Sequence, residues 1–467
     1  MNQNSAQVRV RFAPSPTGNL HIGGLRSALF NWLFARHHKG VFLLRIEDTD
    51  YERSKPEYAQ SMLDSLAWVG LEPDEPILIQ SSRLAEHRAR AEWLVEHGHA
   101  YWCVCTPAEV AARSAQSGGN DFENIKYDGY CRDRAHDAQT KHVIRLRLPD
   151  TYESFVFEDL IRGTVTIPRD QLDDFIIVRS DGLPMYNFVV VVDDAFMRIT
   201  HIIRGEEHII NTPKQIALYK AFGYQVPQFA HIPLVLGPSG QKLSKREAAT
   251  AVPDYRDMGY LPDALINYLV RLGWSHGDQE IFTRPELIAA FSLDAISKSG
   301  AIFDQEKLNW VNSVYLRQYG HDALASLLLS FGVATPNEGT IAAVALYQDR
   351  VATLKELADA VNTLLKGPAT YNQADFDAIV QVGTMMLDAV LHALQTMTVW
   401  NSDEVQKCLK KLAAEQNIKI ATIAHSIRLA LTGHASGPGV FALLTVIDKQ
   451  EALRRLYALR SSIVRTT

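Results

Sequence analysis

The sequence predicts an α/β chain in which a parallel-sheet domain is split by a mixed α+β insertion and followed by an all-helical C-terminal region. Three observations point there. Strand and helix patterns alternate over roughly the first 95 residues. Short alternating strands with turn dipeptides interrupt them from Tyr101 to Pro184, and helical periods dominate beyond Pro253. At 467 residues the chain exceeds what one hydrophobic core serves, and length alone implies about three to four domains.

In order along the chain, Val8, Val10 and Phe12 alternate with Arg9 and Arg11, the period of a strand. Ile22, Leu25, Leu29, Trp32 and Leu33 recur at helical spacing before Gly40, so the chain starts as strand, tight loop, helix. Val41–Ile46 is the next strand, with helical periods over Pro56–Val69 and Arg83–His97; residues 1–97 form the first half of the parallel-sheet domain. Residues 98–185 look inserted, with turns at Gly118-Gly119-Asn120 and Asp128-Gly129 and short strands at His142–Leu148 and Thr164–Ile167. The wholly apolar Phe188–Val192 then reads as a buried parallel strand. A helix follows with Thr212 as N-cap, Pro213 at its first position and Gly223 beyond its end, and residues 186–250 complete the split domain. Helices are expected at Pro262–Leu272, Arg284–Ala290, His321–Phe331, Leu346–Leu365, Asp375–Met397, Ser402–Glu415 and Lys449–Ser461. They fall into residues 251–330 and 331–467, with Gly300 and Gly339 as candidate joints.

Hydrophobic residues make up 47% and charged residues 21%, the proportions of a globular chain. No apolar run approaches the ~18 residues of a membrane helix, and Met1–Gln7 lacks a signal-peptide core, so a soluble cytoplasmic protein without membrane contact is expected. Four cysteines argue against a disulfide framework and for a reducing compartment. Lysine and arginine number 47 against 53 acids, a net of −6, which is less basic than a polyanion binder often is. The sign is uneven: Asn401–Thr467 holds ten lysines and arginines against five acids, a net of +5 that leaves −11 for the rest. A basic C-terminal module on an acidic body suits a polyanion that must bind and leave, although solvated helix faces give the same count.

Two motifs more than two hundred residues apart carry the chemistry. The first, Ala13-Pro14-Ser15-Pro16-Thr17-Gly18-Asn19-Leu20-His21-Ile22-Gly23-Gly24, runs from the first strand into its helix. The unpaired N–H groups and positive dipole end of that helix suit a phosphate, which Gly23 and Gly24 allow close to the backbone and which His21 would flank. The second, Lys242-Leu243-Ser244-Lys245-Arg246, follows the apolar Ile232–Leu236 and the turn Gly237-Pro238-Ser239-Gly240. Neither a G-x-x-x-x-G-K-[ST] nor a G-x-G-x-x-G occurs, so any triphosphate must be held some other way. Singly the motifs are ambiguous, since a histidine at a helix start is often a cap and a basic pentapeptide is usually a solvated loop.

As a pair they resemble the HIGH and KMSKS signatures of class I aminoacyl-tRNA synthetases. The Ala-Pro-Ser-Pro-Thr-Gly before His21 is similar to the bacterial glutamyl-tRNA synthetase family in particular. Ordered matches continue at Leu44–Asp50, Tyr186–Phe188, Val192–Asp194, Ile203–His208, Asn211–Pro213, Tyr260–Pro262, Leu265–Tyr268 and Arg428–Gly433. The resemblance implies a Rossmann-like catalytic domain, an insertion (98–185) that grips the tRNA acceptor end, a stem-contact domain (251–330) and helical anticodon-binding domains (331–467). It implies a monomer that joins L-glutamate to tRNA(Glu) through a glutamyl-adenylate, with ATP and Mg²⁺. His21, Lys242 and Lys245 would be the catalytic groups, and Pro14, Thr17, Gly18, Gly23, Gly24, Ser244 and Arg246 would complete the ATP site. Gly24 stands where the general signature has a second histidine, a departure the glutamyl branch often tolerates.

Glutamate recognition needs a cation for the side-chain carboxylate and an anion for the ammonium. Arg11 and Glu47 lie at the ends of the first two strands and Arg204 follows Ile202 and Ile203, so all three project toward the strand ends where open α/β sheets bind ligands. The resemblance assigns Arg11 and Arg204 to the substrate carboxylates, Glu47 to the amine, and Ala13, Ser15 and Tyr186 to the pocket walls. A salt bridge to Arg45 is the competing role for Glu47. Some family members hold zinc on the insertion through C-x-C and C-x-H; here Cys103, Cys105 and Cys131 match, while Asp133 takes the histidine position and His136 lies nearby. Both residue types ligate zinc, and three reduced thiols without metal is the alternative. Cys408 reads as core.

Three alternatives remain close. One is an enzyme that also charges tRNA(Gln). A truncated relative that glutamylates a tRNA base lacks the helical half present here, and a glutaminyl enzyme differs from Ala13 to Thr17. From another class comes a non-catalytic tRNA-binding paralogue, against which the intact His21, Lys242 and Lys245 argue.

Overall fold

The structure, a computed structural model, describes residues 7–50, 52–116, 126–134, 136, 142–150, 153–243 and 250–466. The chain divides into two compact units, residues 1–254 with 266–304 and residues 255–265 with 305–467.

The first unit begins β1 (Arg9–Phe12), α1 (Ile22–His37), β2 (Val41–Ile46), α2 (Pro56–Trp68), β3 (Leu78–Ile79) and α3 (Leu84–Glu96). β1 and β2 run parallel with Arg9 opposite Val41 and Phe12 opposite Leu44, and β3 extends them in parallel beyond β2. Parallel neighbours need a crossover between them, and α1 supplies the first, burying Leu25, Leu29 and Leu33. The mixed segment follows: β4 (Ala100–Cys103), α4 (Pro107–Gln116), β5 (Val143–Leu146), β6 (Ser154–Asp159), β7 (Gly163–Pro168) and β8 (Ile176–Val178). β4, β5 and β8 form an antiparallel sheet, and β6 and β7 a hairpin.

The parallel sheet resumes after α5 (Tyr186–Phe196), with β9 (His201–Gly205), α6 (Thr212–Ala221) and β10 (Gln228–Ile232). β10 lies parallel to both β9 and β6, giving the order β7-β6-β10-β9. The two halves of the split domain rejoin because Thr200, just before β9, donates its N–H to Arg9 O at 2.9 Å and accepts Arg9 N–H on Oγ1 at 2.8 Å. Asn31 of α1 fastens them again by donating to Ile203 O at 2.9 Å. β11 (Val235–Leu236), α7 (Val252–Asp257), α8 (Pro262–Arg271), α9 (Arg284–Ala290) and β12 (Ala301–Ile302) follow, with β11 and β12 parallel.

Beyond Gln305 every described regular element is helical: α10 (Gln305–Leu316), α11 (His321–Leu327), α12 (Glu338–Tyr347), α13 (Leu354–Lys366), α14 (Gln373–Val382), α15 (Thr384–Thr396), α16 (Ser402–Glu415), α17 (Ile420–Thr432), α18 (Val440–Val446) and α19 (Lys449–Thr466). Part of the basic C-terminal charge is spent inside this unit. Arg455 is buried and donates to Leu364 O at 2.7 Å and Leu431 O at 3.1 Å, carbonyls in the last turns of α13 and α17, where a cation meets the negative dipole ends. No single described helix is long and apolar enough to cross a membrane.

Several expectations are corrected. Phe188–Val192 is not a strand but the interior of α5. Its five residues are all buried, so the run shows no alternation, and a continuous apolar run cannot by itself separate a buried helix from a buried strand. The helix at 212 is capped by Asn211, with Thr212 already helical. The expected helix Leu346–Leu365 is two helices. Glu356 Oε2 accepts Ala352 N–H at 2.7 Å while Thr353 accepts Glu356 N–H at 3.2 Å, a cap that starts α13 afresh. Asp375–Met397 also breaks, at Gly383, whose φ of 81° no helix accommodates, and α14 and α15 meet there at 88°. Gly339 is no joint, since it sits in the first turn of α12. Cys408 is half-buried on α16.

Candidate active site

Backbone hydrogen bonds draw the two motifs together. Ile22 N–H donates to Thr250 O at 2.8 Å, Val252 N–H donates to Leu20 O at 2.8 Å, and His21 forms a β-bridge with Ala251. The chain emerging from the basic motif is therefore stitched to the head of α1 within four residues of Arg246. At the other end, Lys242 is exposed, bridged to Leu236 at the base of a turn, and lines neither cavity described below. Ser244, Lys245 and Arg246 lie outside the described residues.

His21 is the N-cap of α1, in extended conformation (φ −80°, ψ 148°), and its Nδ1 accepts Gly23 N–H at 3.1 Å. An accepting Nδ1 puts the proton of the neutral ring on Nε2. Two head amides are thus already committed, Ile22 to Thr250 and Gly23 to His21, and Gly23 lines neither cavity. Gly24 does line both. A Cβ there would stand 3.1 Å from Leu20 Cδ1, so a larger residue at this position requires the Leu20 side chain to give way slightly.

The two cavities adjoin. One, of about 350 Å³, is lined by Pro14, Ser15, Thr17, Gly18 and His21 of the first motif, with Asn19 and Met62. The other, of about 150 Å³, is lined by Arg11, Arg204, Ser27, Gly205 and Glu207. They share Phe12, Ala13, Gly24, Glu47, Tyr186 and His208. Ser15, expected beside Arg11 and Arg204, instead faces the cavity at the helix head.

The charges of the smaller cavity are arranged asymmetrically. Arg11 Nε and Nη2 lie 3.1 and 3.3 Å from the carboxylate of Asp194, and Arg45 Nη1 is 2.6 Å from the same group. Arg45 also pairs with Glu47 at 2.9 Å, so the competing role foreseen for Glu47 is present. All four groups are buried. Although burial opposes it, Arg11 and Arg45 hold the Asp194 carboxyl below its ordinary range; at Glu47 burial outweighs Arg45 and the carboxyl is raised.

Arg204 differs. It is 6% exposed and donates only to neutral acceptors: His231 Nε2 at 3.1 Å, Gln215 Oε1 at 2.8 Å, Thr212 Oγ1 at 2.8 Å and His208 O at 3.3 Å. No carboxylate lies within 4.0 Å of it among the described residues, and burial brings its pKa down to about 10. A buried guanidinium without a counter-ion, lining a cavity, calls for an anionic ligand. Burial and Arg204 together hold His208 down to about 4, so its ring is neutral.

At the end of β4, Cys103, Cys105 and Cys131 place their sulfurs within 4.8 Å of one another, with Cys105 and Cys131 at 3.4 Å. Asp133 is outside this group because its carboxylate turns to Arg147 at 2.9 Å. Nε2 of His136 is buried without a hydrogen-bond partner. Burial pushes the Cys103 thiol up, but its hydrogen bonds with Tyr127 and Arg145 bring it below its ordinary value; Cys105 is raised to about 11 by burial and by Cys131.

Sequence reasoning missed Asp194, His208, Gln215, His231 and Asp159. Asp193 and Asp194 gave one signal, two acids closing an apolar run, and His208 stands in a segment already noticed; the others are single polar residues in ordinary contexts.

A split parallel sheet, a helix head bordering a cavity and a buried arginine with no carboxylate partner among the described residues fit an α/β enzyme that activates a carboxylate substrate with a nucleotide. Residues 7–310 match the class I tRNA synthetase (E and Q) catalytic domain, and residues 313–460 match an anticodon binding domain. The chain is 44% identical over 460 residues to "Glutamate--tRNA ligase 1" of Syntrophus aciditrophicus, covering 97% of each chain. It is 44% identical to "Glutamate--tRNA ligase" of Geobacter sulfurreducens, covering 97% and 98%. A crystal structure of a glutamate tRNA ligase from Elizabethkingia meningosepticum, in complex with its amino acid, superposes with a TM-score of 0.85 at 30% identity, covering 98% of this chain and 100% of that one. The chain belongs to the E and Q family of class I tRNA synthetases.

Proposed function

We propose that the protein ligates L-glutamate to the 3′ end of tRNA(Glu) through a glutamyl-adenylate, releasing pyrophosphate and then AMP. The observation that carries the reading is the pair of adjoining cavities, one at the head of α1 and the other ending on an arginine that lacks a carboxylate partner. The names of the relatives point the same way.

Adenylation needs the α-carboxylate of glutamate to attack the α-phosphate of ATP in line while pyrophosphate leaves. The enzyme's task is positioning and charge stabilisation, and no protein nucleophile is required. ATP occupies the larger cavity, where Pro14, Thr17, Gly18 and Gly24 shape the walls and His21 flanks the phosphates. The family resemblance would bring Lys245, with Lys242 and Arg246, onto the phosphates when ATP is bound. Mg²⁺ enters on the triphosphate, keeping most of its waters. Glutamate occupies the smaller cavity, with its side-chain carboxylate toward Arg204, its α-carboxylate toward the free Nη1 edge of Arg11 and its ammonium toward Glu47; Ala13 and Tyr186 wall the junction. The tRNA 3′ ribose hydroxyl then attacks the activated carbonyl and AMP departs. Residues 98–185 would present that end, residues 251–330 the stem contact and residues 331–467 the anticodon contact.

Zinc fits the insertion incompletely. Cys103, Cys105 and Cys131 supply three donors at spacings a tetrahedral site tolerates, and neither Asp133 nor His136 joins them as a fourth. There it would brace the loop joining β4 to the segment after α4.

The test is glutamate-dependent ATP–pyrophosphate exchange by the full chain, with purified tRNA(Glu), with tRNA(Gln) and with neither. Exchange that ignores glutamate under every condition would sink the assignment. Lys245→Ala should depress exchange by about 10²- to 10³-fold while leaving tRNA affinity nearly unchanged; equal losses in both would show the loop to be an RNA contact.

A further inference from the structure

We propose that His231, clamped by Asp159, is the positioning residue that aims Arg204 at the substrate's side-chain carboxylate. The inference rests on the reading that Arg204 takes that carboxylate.

The three residues come from adjacent parallel strands, β6, β10 and β9, with His231 directly opposite Arg204 in register. All are buried, His231 completely. His231 Nδ1 lies 2.6 Å from Asp159 Oδ2, and Asp159 cannot turn away because its Oδ1 accepts the N–H groups of Ile161 at 3.0 Å and Arg162 at 2.9 Å while Oδ2 accepts that of His231 at 3.1 Å. A carboxylate only accepts, so the ring proton sits on Nδ1. Nε2 is then a lone pair, and both groups that reach it can donate: Arg204 Nε–H at 3.1 Å and the Thr212 hydroxyl at 3.2 Å.

This makes the tautomer of one ring decide the aim of the guanidinium. With Nε accepted by His231, Nη1 by Gln215 and both Nη2 hydrogens by Thr212 and His208, one Nη1–H and the uncompensated charge are left for a ligand. If Nε2 carried a proton instead, an N–H would face an N–H across a buried contact, and the fork would have to swing. Burial favours the neutral ring, and the nearby Arg204 reinforces that against the pull of Asp159. The clamp also ties the amino-acid cavity to the inserted segment, since Asp159 ends β6.

The experiment measures glutamate and ATP KM and kcat in tRNA-supported exchange for His231→Leu, His231→Gln, Asp159→Asn and Arg204→Gln in the full chain. His231→Leu should raise glutamate KM by about tenfold or more while ATP KM stays within about twofold. His231→Gln, whose amide oxygen can stand near the Nε2 position, should recover most of the loss. Asp159→Asn, which lets the ring take the other tautomer, should raise glutamate KM alone. If Arg204→Gln leaves glutamate KM unchanged, the role given to Arg204 is wrong. If Arg204→Gln raises it but His231→Leu does not, or if His231→Gln is as poor as His231→Leu, or if ATP KM rises in step, the positioning role is overturned. Should His231→Leu fail to fold, the pair His231→Gln and Asp159→Asn decides: a near-native first with an impaired second supports the proposal, and the reverse overturns it.

Discussion

Replacing Arg204 by glutamine should separate ligand binding from stability more cleanly than any other substitution in the site. Burial has taken the pKa of Arg204 from its usual value above 12 to about 10, so the ligand-free protein carries on the order of 3 kcal/mol of uncompensated charge there. Glutamine removes that cost and can still donate to one or two of the four acceptors around it. The Thr212 hydroxyl, which reaches both His208 O and His231 Nε2, can serve one of the rest, so about one acceptor is left unpaired at about 1–3 kcal/mol. The opposing effects should leave the ligand-free protein within about 2 kcal/mol of wild type. Binding has no such compensation. Losing one partner of a desolvated ion pair costs about 2–5 kcal/mol, or roughly thirty-fold to several thousand-fold in glutamate affinity. Denaturant unfolding with and without glutamate, alongside exchange kinetics, reads both quantities. At about one hundred times its dissociation constant glutamate should add about 2.7 kcal/mol to wild type, and at the same concentration no more than about 0.9 kcal/mol to the variant. The reasoning fails if glutamate KM moves less than about threefold, or if the variant loses more than about 4 kcal/mol without ligand, which would make Arg204 a structural residue.

Asp194→Asn should destabilise the first unit by about 3–5 kcal/mol, because Arg11 loses the carboxylate it pairs with and Arg45 keeps only its salt bridge to Glu47 among the described residues; a change in urea unfolding below about 1 kcal/mol would refute this. The folded Asp194 pKa lies below the unfolded value near ~3.9, so its contribution is present above that pH and is lost as pH falls through the folded value, and wild type and variant should converge in acid. At Glu47 the shift is upward and the ionised form is the one that binds an ammonium, so glutamate KM should climb as pH falls through a range above the ordinary ~4.3. Glu47→Gln should show a high KM without that acid limb, and parallel pH profiles would exclude Glu47 as the ammonium partner. Metal analysis of the purified protein should find about one zinc per chain, lost in Cys131→Ser; a zinc-free wild type would mean that the three thiols are held by Tyr127, Arg113 and Arg145 alone.

The fold was legible wherever periodicity and punctuation agreed. β2 and α9 fall where the pattern put them, and α16 is bounded by Asn401 and Gln416 as its run implies. Legibility failed where burial was complete or a cap interrupted a period. Phe188–Val192 carried no alternation to read, and Thr353 and Gly383 broke helices by a hydrogen bond and a dihedral that residue spacing does not encode.

The site divides along the same line. The sequence by itself determined which residues could handle phosphate and carboxylate, because His21, Gly24, Arg11, Glu47 and Arg204 are local signals of residue type at strand ends and a helix head. Only the tertiary structure decided what each of them does with its charge. Arg11 and Arg204 look alike in the sequence, yet Asp194, at the end of a helix nearly two hundred residues from Arg11, neutralises the first, while the second meets only neutral acceptors. The physical reason is that a charge's availability depends on the sum of its neighbours after burial. Those neighbours arrive from β6, α5, α6 and β10, whose spacing along the chain carries no record of their distance in space.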